Sequence, residues 1–355
     1  MGNFDIVIGA QAGSEAKGKL SGYLCATRDY NLIAMASSPN AGHTVVTKSG
    51  EKKVSYHLPI GMVMCDCPVV LGPTSVFNLD NLEKEIIALG IDPRRITIDP
   101  RAALIHSHHI YIEKNNDLSD IGSTLQGIGE CRRAKIARRN RVEFVGDGSR
   151  EISNRLGVTI APTSPIISDV LGKGGRVLCE STQGFDLDLE HGIDPVYCTS
   201  KMINPAMVMA EAGVSPREVG EIFGVFRPYP IRVNNRTGTS GPYAGSPEIT
   251  WDEVASRCGY PSPSANLAEI TTTTKLPRRV FEFCDTRFAK FIQVCRPTSL
   301  CLQFANYIDW GMYEVDSVKE FRGIVRMYID DIESIYGVPV KFIGTGPAHQ
   351  HMIER

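Results

Sequence analysis

The feature that most constrains the fold is a glycine-rich loop close to the start of the chain. Residues 4–10 form an apolar, β-branched run typical of a buried strand, and residues 16–27 have helical character. Between them, Gly13 to Lys19 matches G-x-x-x-x-G-K, a pattern in which glycines let the backbone approach a phosphate and the lysine adds charge. Leu20 stands where that pattern has Ser or Thr, which argues against a standard nucleoside triphosphatase. A plain strand–turn–helix corner is the alternative interpretation of this pattern alone.

Strand-like and helix-like segments alternate along the 355 residues. After the first strand and helix, the pattern predicts strand 31–37, helix 78–89, strands 96–99 and 176–181, helix 202–211, strand 299–308, helix 316–335 and strand 338–346. This alternation predicts an α/β fold with a large, P-loop-like, mostly parallel central sheet flanked by helices. Residues 233–263 are rich in Gly, Pro, Asn, Thr and Ser, and we expect a long functional loop there. No linker divides the chain, so we expect a single domain over 1–355.

The composition argues against several classes of protein. With 42% hydrophobic residues and nearly balanced charge, the chain is not expected to be disordered. The 38 Lys and Arg against 40 Asp and Glu leave no positive excess that would favour nucleic acid or an anionic membrane. No apolar run reaches the ~18 residues that a membrane span needs. Ten scattered cysteines and an N-terminus without a basic signal-peptide region predict reduced thiols and a cytoplasmic protein.

Collinear segments over nearly the whole chain carry a family resemblance. They are G-x-Q-x-G-x-E-x-K-G-K (9–19), PNAGHT (39–44), IGSTLQGIGECRRAKIARR (121–139), ESTQGFDLDLEHGIDP (180–195), TTTTKLPRR (271–279) and GTGP (344–347). In this order they resemble the motifs of the adenylosuccinate synthetase family. That family moves the γ-phosphoryl group of a nucleoside triphosphate to O6 of a purine nucleotide, and L-aspartate then displaces phosphate from C6.

The resemblance implies a role for residues in each of these segments. Four residues would take part in catalysis: Ser14, Glu15, His43 and Gln183. The triphosphate would be bound by Gly13, Ala16, Lys17, Gly18, Lys19, Gly42, His43, Thr44, Gln303, Asn306, Gly344, Gly346 and Pro347. The purine monophosphate would be held by Ser14, Asn40, Ser123, Thr124, Arg138, Gln183 and Thr199. Mg²⁺ would be bound by Ser14 and the Gly42 carbonyl, and aspartate by Thr272, Thr273, Thr274, Arg278 and Arg279.

Two of these assignments compete with simpler interpretations. In the context of PNAGHT, His43 is interpreted as the acid that stabilises the transferred phosphoryl group rather than as an ordinary polar turn histidine. The resemblance places Arg138 against the 5′-phosphate of the substrate in a second subunit, which implies a homodimer. Six of the eleven residues 131–141 are Arg or Lys, so a solvated basic helix or a nucleic-acid patch is the alternative. Without a wider basic excess we favour phosphate binding and expect no nucleic-acid or membrane partner.

The first departure from the family is Ser14. Adenylosuccinate synthetases have at this position the Asp that takes the N1 proton from IMP, and a serine hydroxyl is no such base at neutral pH. Guanine carries an amino group at C2 beside N1, which a carboxylate would crowd, whereas a hydroxyl leaves room and accepts from N2–H. The replacement resembles the phage branch of the family, which converts dGMP and aspartate to N6-succino-2-amino-2′-deoxyadenylate on the route to diaminopurine DNA. A phage-encoded protein would work in the host cytoplasm. Glu15 and a water remain open as acceptors of the N1 proton.

The second departure is Asn306. The stretch from Gln303 to Asn306 stands where the family has T-K-x-D, whose Asp accepts from guanine N1–H and N2–H₂ together. Asn offers one acceptor and one donor, which suits adenine. We therefore expect ATP or dATP as the phosphoryl donor. Alternatively, Asn306 is only a strand-end residue, and Pro347 and its neighbours decide which triphosphate binds.

Three functions follow from these departures. The favoured one is an ATP-dependent ligase that joins L-aspartate to C6 of dGMP. An adenylosuccinate synthetase that acts on IMP with GTP is the first alternative, and a nucleotide-binding relative without catalysis is the second.

The segment 271–279 contains Lys275-Leu-Pro among its basic residues, so the identity of the arginine that binds aspartate also remains open.

Overall fold

The computed structural model describes residues 2–36, 38–40, 42–116, 118, 120–138, 142–234, 239–271 and 275–355. Of the residues predicted to bind ligands, Thr272, Thr273 and Thr274 lie outside the described residues. None of the described helices is long and apolar enough to cross a membrane.

The described residues contain seventeen strands. In chain order they are β1 (Phe4–Gly9), β2 (Leu32–Met35), β3 (His43–Val46), β4 (Lys52–Ser55), β5 (Val69–Leu71), β6 (Val76–Phe77), β7 (Ile96–Ile98), β8 (Ala103–Leu104), β9 (Thr159–Ile160), β10 (Val177–Gly184), β11 (Val219–Phe226), β12 (Ile231–Arg232), β13 (Glu248–Ile249), β14 (Arg279–Phe281), β15 (Ser299–Leu302), β16 (Val340–Gly344) and β17 (Met352–Glu354).

A ten-stranded sheet lies at the centre of the fold, in the order β17-β16-β15-β11-β1-β10-β2-β5-β7-β9. All neighbouring strands run parallel except β16 and β17, which pair antiparallel at one edge. Three small sheets, β12-β14-β13, β3-β4 and β6-β8, lie outside it. The predicted α/β class with a mostly parallel sheet is therefore confirmed.

Ten α-helices accompany the strands over the described residues. They are α1 (Lys17–Thr27), α2 (Leu79–Leu89), α3 (Ser107–Lys114), α4 (Ile128–Ala137), α5 (Ser149–Leu156), α6 (Thr163–Gly172), α7 (Pro205–Ala212), α8 (Trp251–Cys258), α9 (Asp285–Cys295) and α10 (Gly323–Tyr336). The ends of α2 show how capping residues in the local sequence set the bounds of a helix. The Asn78 side chain accepts from the Asn81 amide at the start, and Gly90 ends the helix at φ 68°.

Both faces of the central sheet are covered by apolar side chains, as a parallel sheet requires. In β1, Phe4, Ile6 and Ile8 pack into one core cluster, while Val7 packs into a second. All four of these side chains are fully buried. The sheet therefore holds the loops at the carboxyl ends of its strands on a rigid base.

The structure corrects several sequence-based boundaries. The predicted loop 233–263 contains β13 and the helix α8, and this helix begins with a capping box in which Thr250 and Glu253 each bond the other's backbone amide. The predicted strand 299–308 ends at Leu302, because Phe304 takes a left-handed φ of 60° and a 3-10 turn follows. The predicted helix 316–335 begins only at Gly323, after a separate 3-10 turn at Val318–Glu320.

Candidate active site at the carboxyl ends of the central strands

The candidate site lies where three central strands end side by side. Gly9, the last residue of β1, pairs with Gly184 of β10 and with Val225 of β11. In α/β sheets, ligands bind in the crevice outside the carboxyl ends of the strands. The sheet order therefore brings together the glycine-rich loop, the segment after β10 and the segment after β11.

The loop after β1 has an unusual backbone. Gly13, Ser14 and Ala16 all have left-handed conformations, with φ values of 92°, 59° and 63°. Successive residues of this kind turn backbone N–H groups towards a common centre and form an anion-binding concavity. α1 begins at Lys17, directly after the loop. The side chain of Ser14 is exposed, so its hydroxyl can meet a ligand.

The Glu15 carboxylate holds the loop together from inside. One of its oxygens accepts from the amides of Gln11 (3.2 Å) and Gly13 (2.7 Å), and the other accepts from Lys17 Nζ at 2.8 Å. Both side chains are buried. A Cβ at Gly9 would stand 2.6 Å from Glu15 Oε2 and 2.8 Å from Lys17 Nζ, so a larger residue there would have to displace these two side chains. Glu15 and Lys17, predicted as base candidate and phosphate ligand, therefore form one buried ion pair.

Lys19 has different partners from Lys17. Its Nζ donates to the carbonyl oxygens of Gly346 (2.6 Å) and His351 (2.7 Å). Burial lowers the pKa of this lysine to about 7. Gly344 lies beside it and faces Gln303, whose amide nitrogen lies 3.2 Å from Cys301 Sγ. The structure thus brings together four residues predicted for the triphosphate: Lys19 in α1, Gln303 directly after β15, Gly344 in β16 and Gly346 in the turn after β16.

His43 pairs with a residue that the sequence analysis did not single out. Its Nδ1 lies in hydrogen-bond contact with a carboxylate oxygen of Glu180 in β10, and both side chains are buried. Gly18 and Thr44 also lie close together, since a Cβ at Gly18 would stand 2.9 Å from the Thr44 carbonyl oxygen. The start of β3 therefore packs on the start of α1. A charged residue inside an apolar strand was a signal that could have identified Glu180.

The residues predicted for the purine monophosphate come from four segments. Thr124 Oγ1 donates to Asn40 Oδ1 at 2.8 Å, so two of these segments touch. Ser123 Oγ accepts from the Leu125 amide at 3.3 Å. Gln183 has a φ of 68°, and its buried Nε2 has no hydrogen-bond partner among the described residues. The buried hydroxyl of Thr199 is unpartnered as well. Buried polar atoms are normally paired, so these two atoms point to a ligand.

The remaining predicted residues lie in different environments. Arg138 ends α4 at φ 52° and is exposed. Pro347 is exposed, while Asn306 is buried in the turn Ala305–Tyr307. Gly42 is partly buried, and a Cβ on it would stand 3.2 Å from the Tyr56 ring.

The two predicted arginines of the aspartate segment are not equivalent. Arg279 makes a two-pronged pair with Glu248 at 3.0 and 2.7 Å, and its third nitrogen donates to Ser240 and Gly241. The Arg278 guanidinium is largely buried, and its ion pair with Glu269 is a distant one, with 3.9 Å between Nε and the carboxylate oxygen. Burial lowers the pKa of Arg278.

A second buried acid follows β10. Asp186 accepts from the Tyr243 hydroxyl, and its Oδ1 is buried without a partner. Burial raises the pKa of Asp186 to about 7, although Tyr243 and the nearby Arg287 favour the charged form. The Asp186 amide donates to the Gln11 carbonyl at 3.1 Å, which places this acid directly beneath the phosphate loop.

Comparisons with known proteins identify the family. Its sequence profile, described as "Adenylosuccinate synthetase", matches residues 6–150 and 141–309. The N6-succino-2-amino-2′-deoxyadenylate synthase of Cyanophage S-2L is 33% identical over 97% of this chain and 90% of that protein. An adenylosuccinate synthetase of Methanococcus maripaludis strain C5 is 34% identical over 96% of both chains.

A solved structure gives the same result for the fold. The Cyanophage S-2L succinoaminodeoxyadenylate synthetase, bound to dGMP and to dATP as an energy donor, superimposes with a TM-score of 0.82 at 30% identity. The match covers 100% of this chain and 95% of that chain. These relatives are synthetases that form C–N bonds. The chain therefore belongs to the adenylosuccinate synthetase family.

Proposed function

We propose that the protein is an ATP- or dATP-dependent ligase that joins L-aspartate to C6 of dGMP, giving N6-succino-2-amino-2′-deoxyadenylate, ADP or dADP, and phosphate. The observation that carries the choice of purine is Ser14, an exposed hydroxyl on the loop that holds a carboxylate in enzymes acting on IMP. Overall identity does not decide between the two substrates, because relatives of both kinds are about equally similar. The relative crystallised with dGMP and dATP supports this choice.

The reaction has two steps. In the first, guanine N1 loses its proton, O6 attacks the γ-phosphorus of the triphosphate, and the diphosphate leaves. In the second, the aspartate amine attacks C6 and phosphate leaves with the O6 oxygen. The first step is needed because a lactam oxygen is a poor leaving group, and positioning with charge neutralisation supplies most of the catalysis.

His43 and Glu180 would serve the phosphoryl transfer. With Nδ1 bonded to the buried carboxylate of Glu180, the ring is fixed in orientation and Nε2 is left to donate to the transferred phosphoryl group. Glu15 would have to give up two amides and Lys17 to act as the N1 base. We therefore favour a water bound by Ser14 as the proton acceptor.

The family implies Mg²⁺ bound with the triphosphate. Among the described residues, no group of three His, Cys, Asp or Glu side chains could hold a metal. The predicted ligands, the Ser14 hydroxyl and the Gly42 carbonyl, offer two oxygens. That fits Mg²⁺, which takes most of its ligands from phosphates and water in such sites. When bound, the ion would neutralise phosphate charge.

Arg278 is the better candidate for the aspartate carboxylates. Arg279 already has Glu248, Ser240 and Gly241 as partners, whereas among the described residues the one ion pair of the Arg278 guanidinium is the 3.9 Å pair with Glu269. A guanidinium binds a carboxylate through two parallel hydrogen bonds. The exposed Arg138 keeps its proposed role towards the substrate of a second subunit. This role requires a homodimer, which light scattering distinguishes from a monomer.

The substitution Ser14→Asp tests the choice of purine. Phosphate release is measured with dGMP and ATP, and with IMP and GTP, each with aspartate and Mg²⁺. We expect the wild type to turn over dGMP. Ser14→Asp should lower kcat/KM for dGMP by about 100-fold, because an unpaired polar group buried beneath the bound purine costs ~1–3 kcal/mol.

Ser14→Ala is the matched control, since it removes the hydroxyl without adding charge or bulk. It should lower dGMP turnover less than Ser14→Asp does. Wild-type turnover with IMP and GTP alone would contradict the proposal. Binding of dGMP and ATP without phosphate release would support a relative that has lost catalysis.

A further inference from the structure

A buried arginine lies at the junction of the segments assigned above to three different substrates. Arg227 directly follows β11, and its side chain is fully buried. Its backbone amide donates to Gln11 Oε1 at 3.1 Å, and Gln11 Nε2 donates back to the Arg227 carbonyl at 3.0 Å. The arginine is thus bonded to the phosphate loop through its main chain.

The guanidinium makes a second contact with the same loop. Nη1 of Arg227 donates to the Ser14 carbonyl oxygen at 3.1 Å. Ser14 is strained at φ 59°, and this bond fixes the orientation of its peptide group. The direction of the Ser14 hydroxyl towards the purine therefore depends on Arg227.

The same guanidinium also bonds a residue just before the aspartate segment (271–279). It pairs with both carboxylate oxygens of Glu269, one of them at 3.2 Å. The Glu269 carbonyl accepts from the Arg278 amide at 2.7 Å, and the Leu276 carbonyl accepts from the Thr271 amide at 2.8 Å. Burial would raise the pKa of Glu269, but Arg227 outweighs it and lowers that pKa, so the pair is charged.

The third group of contacts reaches the turn that contains Asn306. The guanidinium carbon lies 4.1 Å from the centre of the Phe304 ring and 5.7 Å from that of Tyr307. Tyr307 also donates its hydroxyl to Glu269 at 3.2 Å. Cation–π contacts of this kind are strongest when the cation is desolvated, as it is here.

We propose that Arg227 is a positioning residue that fixes the Ser14 loop, the bonded residues Glu269 and Arg278, and the Phe304–Tyr307 turn relative to one another. This inference rests on the proposed function, because it takes the substrates of the three segments from there. The planar fork of an arginine is required, since a lysine ammonium reaches one of these partners at a time and stacks poorly on a ring.

The test compares Arg227→Lys with Arg176→Lys. Arg176 is a matched control: it pairs with Asp5 at 2.5 Å and stacks on the Tyr30 ring at 4.9 Å, but it lies at the amino ends of β1 and β10. We expect Arg227→Lys to lower kcat by about 10-fold or more, and to raise KM for both aspartate and the triphosphate by about 10-fold. Arg176→Lys should leave all three constants within about 2-fold, even where it lowers the melting temperature equally.

A gentler variant guards against loss of folding. Tyr307→Phe keeps the buried ion pair and removes only the hydroxyl bond to Glu269, and it should raise KM for aspartate by about 2- to 5-fold. If the kinetic constants of Arg227→Lys and of Tyr307→Phe both stayed within 2-fold of the wild-type values, the inference would be overturned. A wild type that binds dGMP without turnover contradicts the proposed function instead. The inference is then judged by calorimetry, in which Arg227→Lys must weaken dGMP and ATP binding at least about 10-fold relative to Arg176→Lys.

Discussion

The phosphate loop and the segment 239–247, which we call the strap, are held in place in opposite ways. The phosphate loop closes on itself, because Glu15 bonds the amides of Gln11 and Gly13 and the ammonium of Lys17. The strap is held by side chains outside it, namely Arg232 shortly before it and the more distant Arg279, Arg287 and Asp186. A locally closed loop is encoded in a short motif, whereas the strap exists only once the chain around it has folded.

The partners of the strap follow a common pattern. Three arginines donate to carbonyl oxygens of the strap: Arg279 to Gly241 (2.7 Å), Arg232 to Pro242 (3.1 Å) and Arg287 to Ala244 (2.6 Å). The strap and β14 also line an open cleft of about 470 Å³. Such a segment has little packing of its own, so its order depends on these charged donors.

The largest effect is expected from breaking the internal ion pair of the phosphate loop. Glu15→Ala leaves the buried Lys17 ammonium and two amides without their acceptor. Removing one partner of a buried pair costs about 3–5 kcal/mol, so urea unfolding should show a loss of that size. Glu83→Ala is the control, because its ion pair with Arg155 is exposed and should contribute about 0–1 kcal/mol. Equal losses in the two variants would refute local closure by Glu15.

A smaller effect is expected from loosening the strap. Arg287→Met keeps a long apolar side chain but removes the donor to the Ala244 carbonyl and the stacking on Tyr243, whose ring centre lies 3.9 Å from the guanidinium. We expect a loss of about 1.5–3 kcal/mol in urea unfolding, with faster amide exchange in the strap than in the phosphate loop. Lys290→Met on the same helix, at an exposed position, is the control. Equal rates of amide exchange in the strap and in the phosphate loop would show that the two regions are not independent.

The last effect, on the free energy of unfolding, depends on pH. It is expected at Asp186, the acid that joins the two regions. The pKa of Asp186 is raised by burial to about 7, so the native state binds the extra proton between pH ~4 and 7. Stability from this group is therefore fully present below pH ~4 and is lost as the pH rises through about 7. Asp186→Asn should gain stability relative to the wild type as the pH rises from about 4 to 8, with no gain near pH 4. A gain that does not change with pH would contradict the shifted pKa.

Much of the fold followed from local patterns. The strand β1, the glycine-rich loop and α1 were predicted in order, and α2 begins after Asn78 and ends before Gly90 as its sequence indicates. The helix α8 was missed because its Gly- and Pro-rich surroundings outweighed a capping signal, Thr250 with Glu253, that the sequence does contain. The extension of β15 was wrong because a periodic apolar run does not reveal that Phe304 turns left-handed.

The candidate site shows the same division. The sequence by itself determined the phosphate loop, the collinear family segments and the two departures at Ser14 and Asn306, because glycine spacing and side-chain chemistry are local properties. Only the tertiary structure decided which buried charges meet: Glu180 with His43, Asp186 with Tyr243, and Arg227 with Glu269. The physical reason is that each of these three pairs joins residues far apart in the chain, and no periodicity or motif specifies the partner. The sheet order, by setting which strand ends are neighbours, makes that choice.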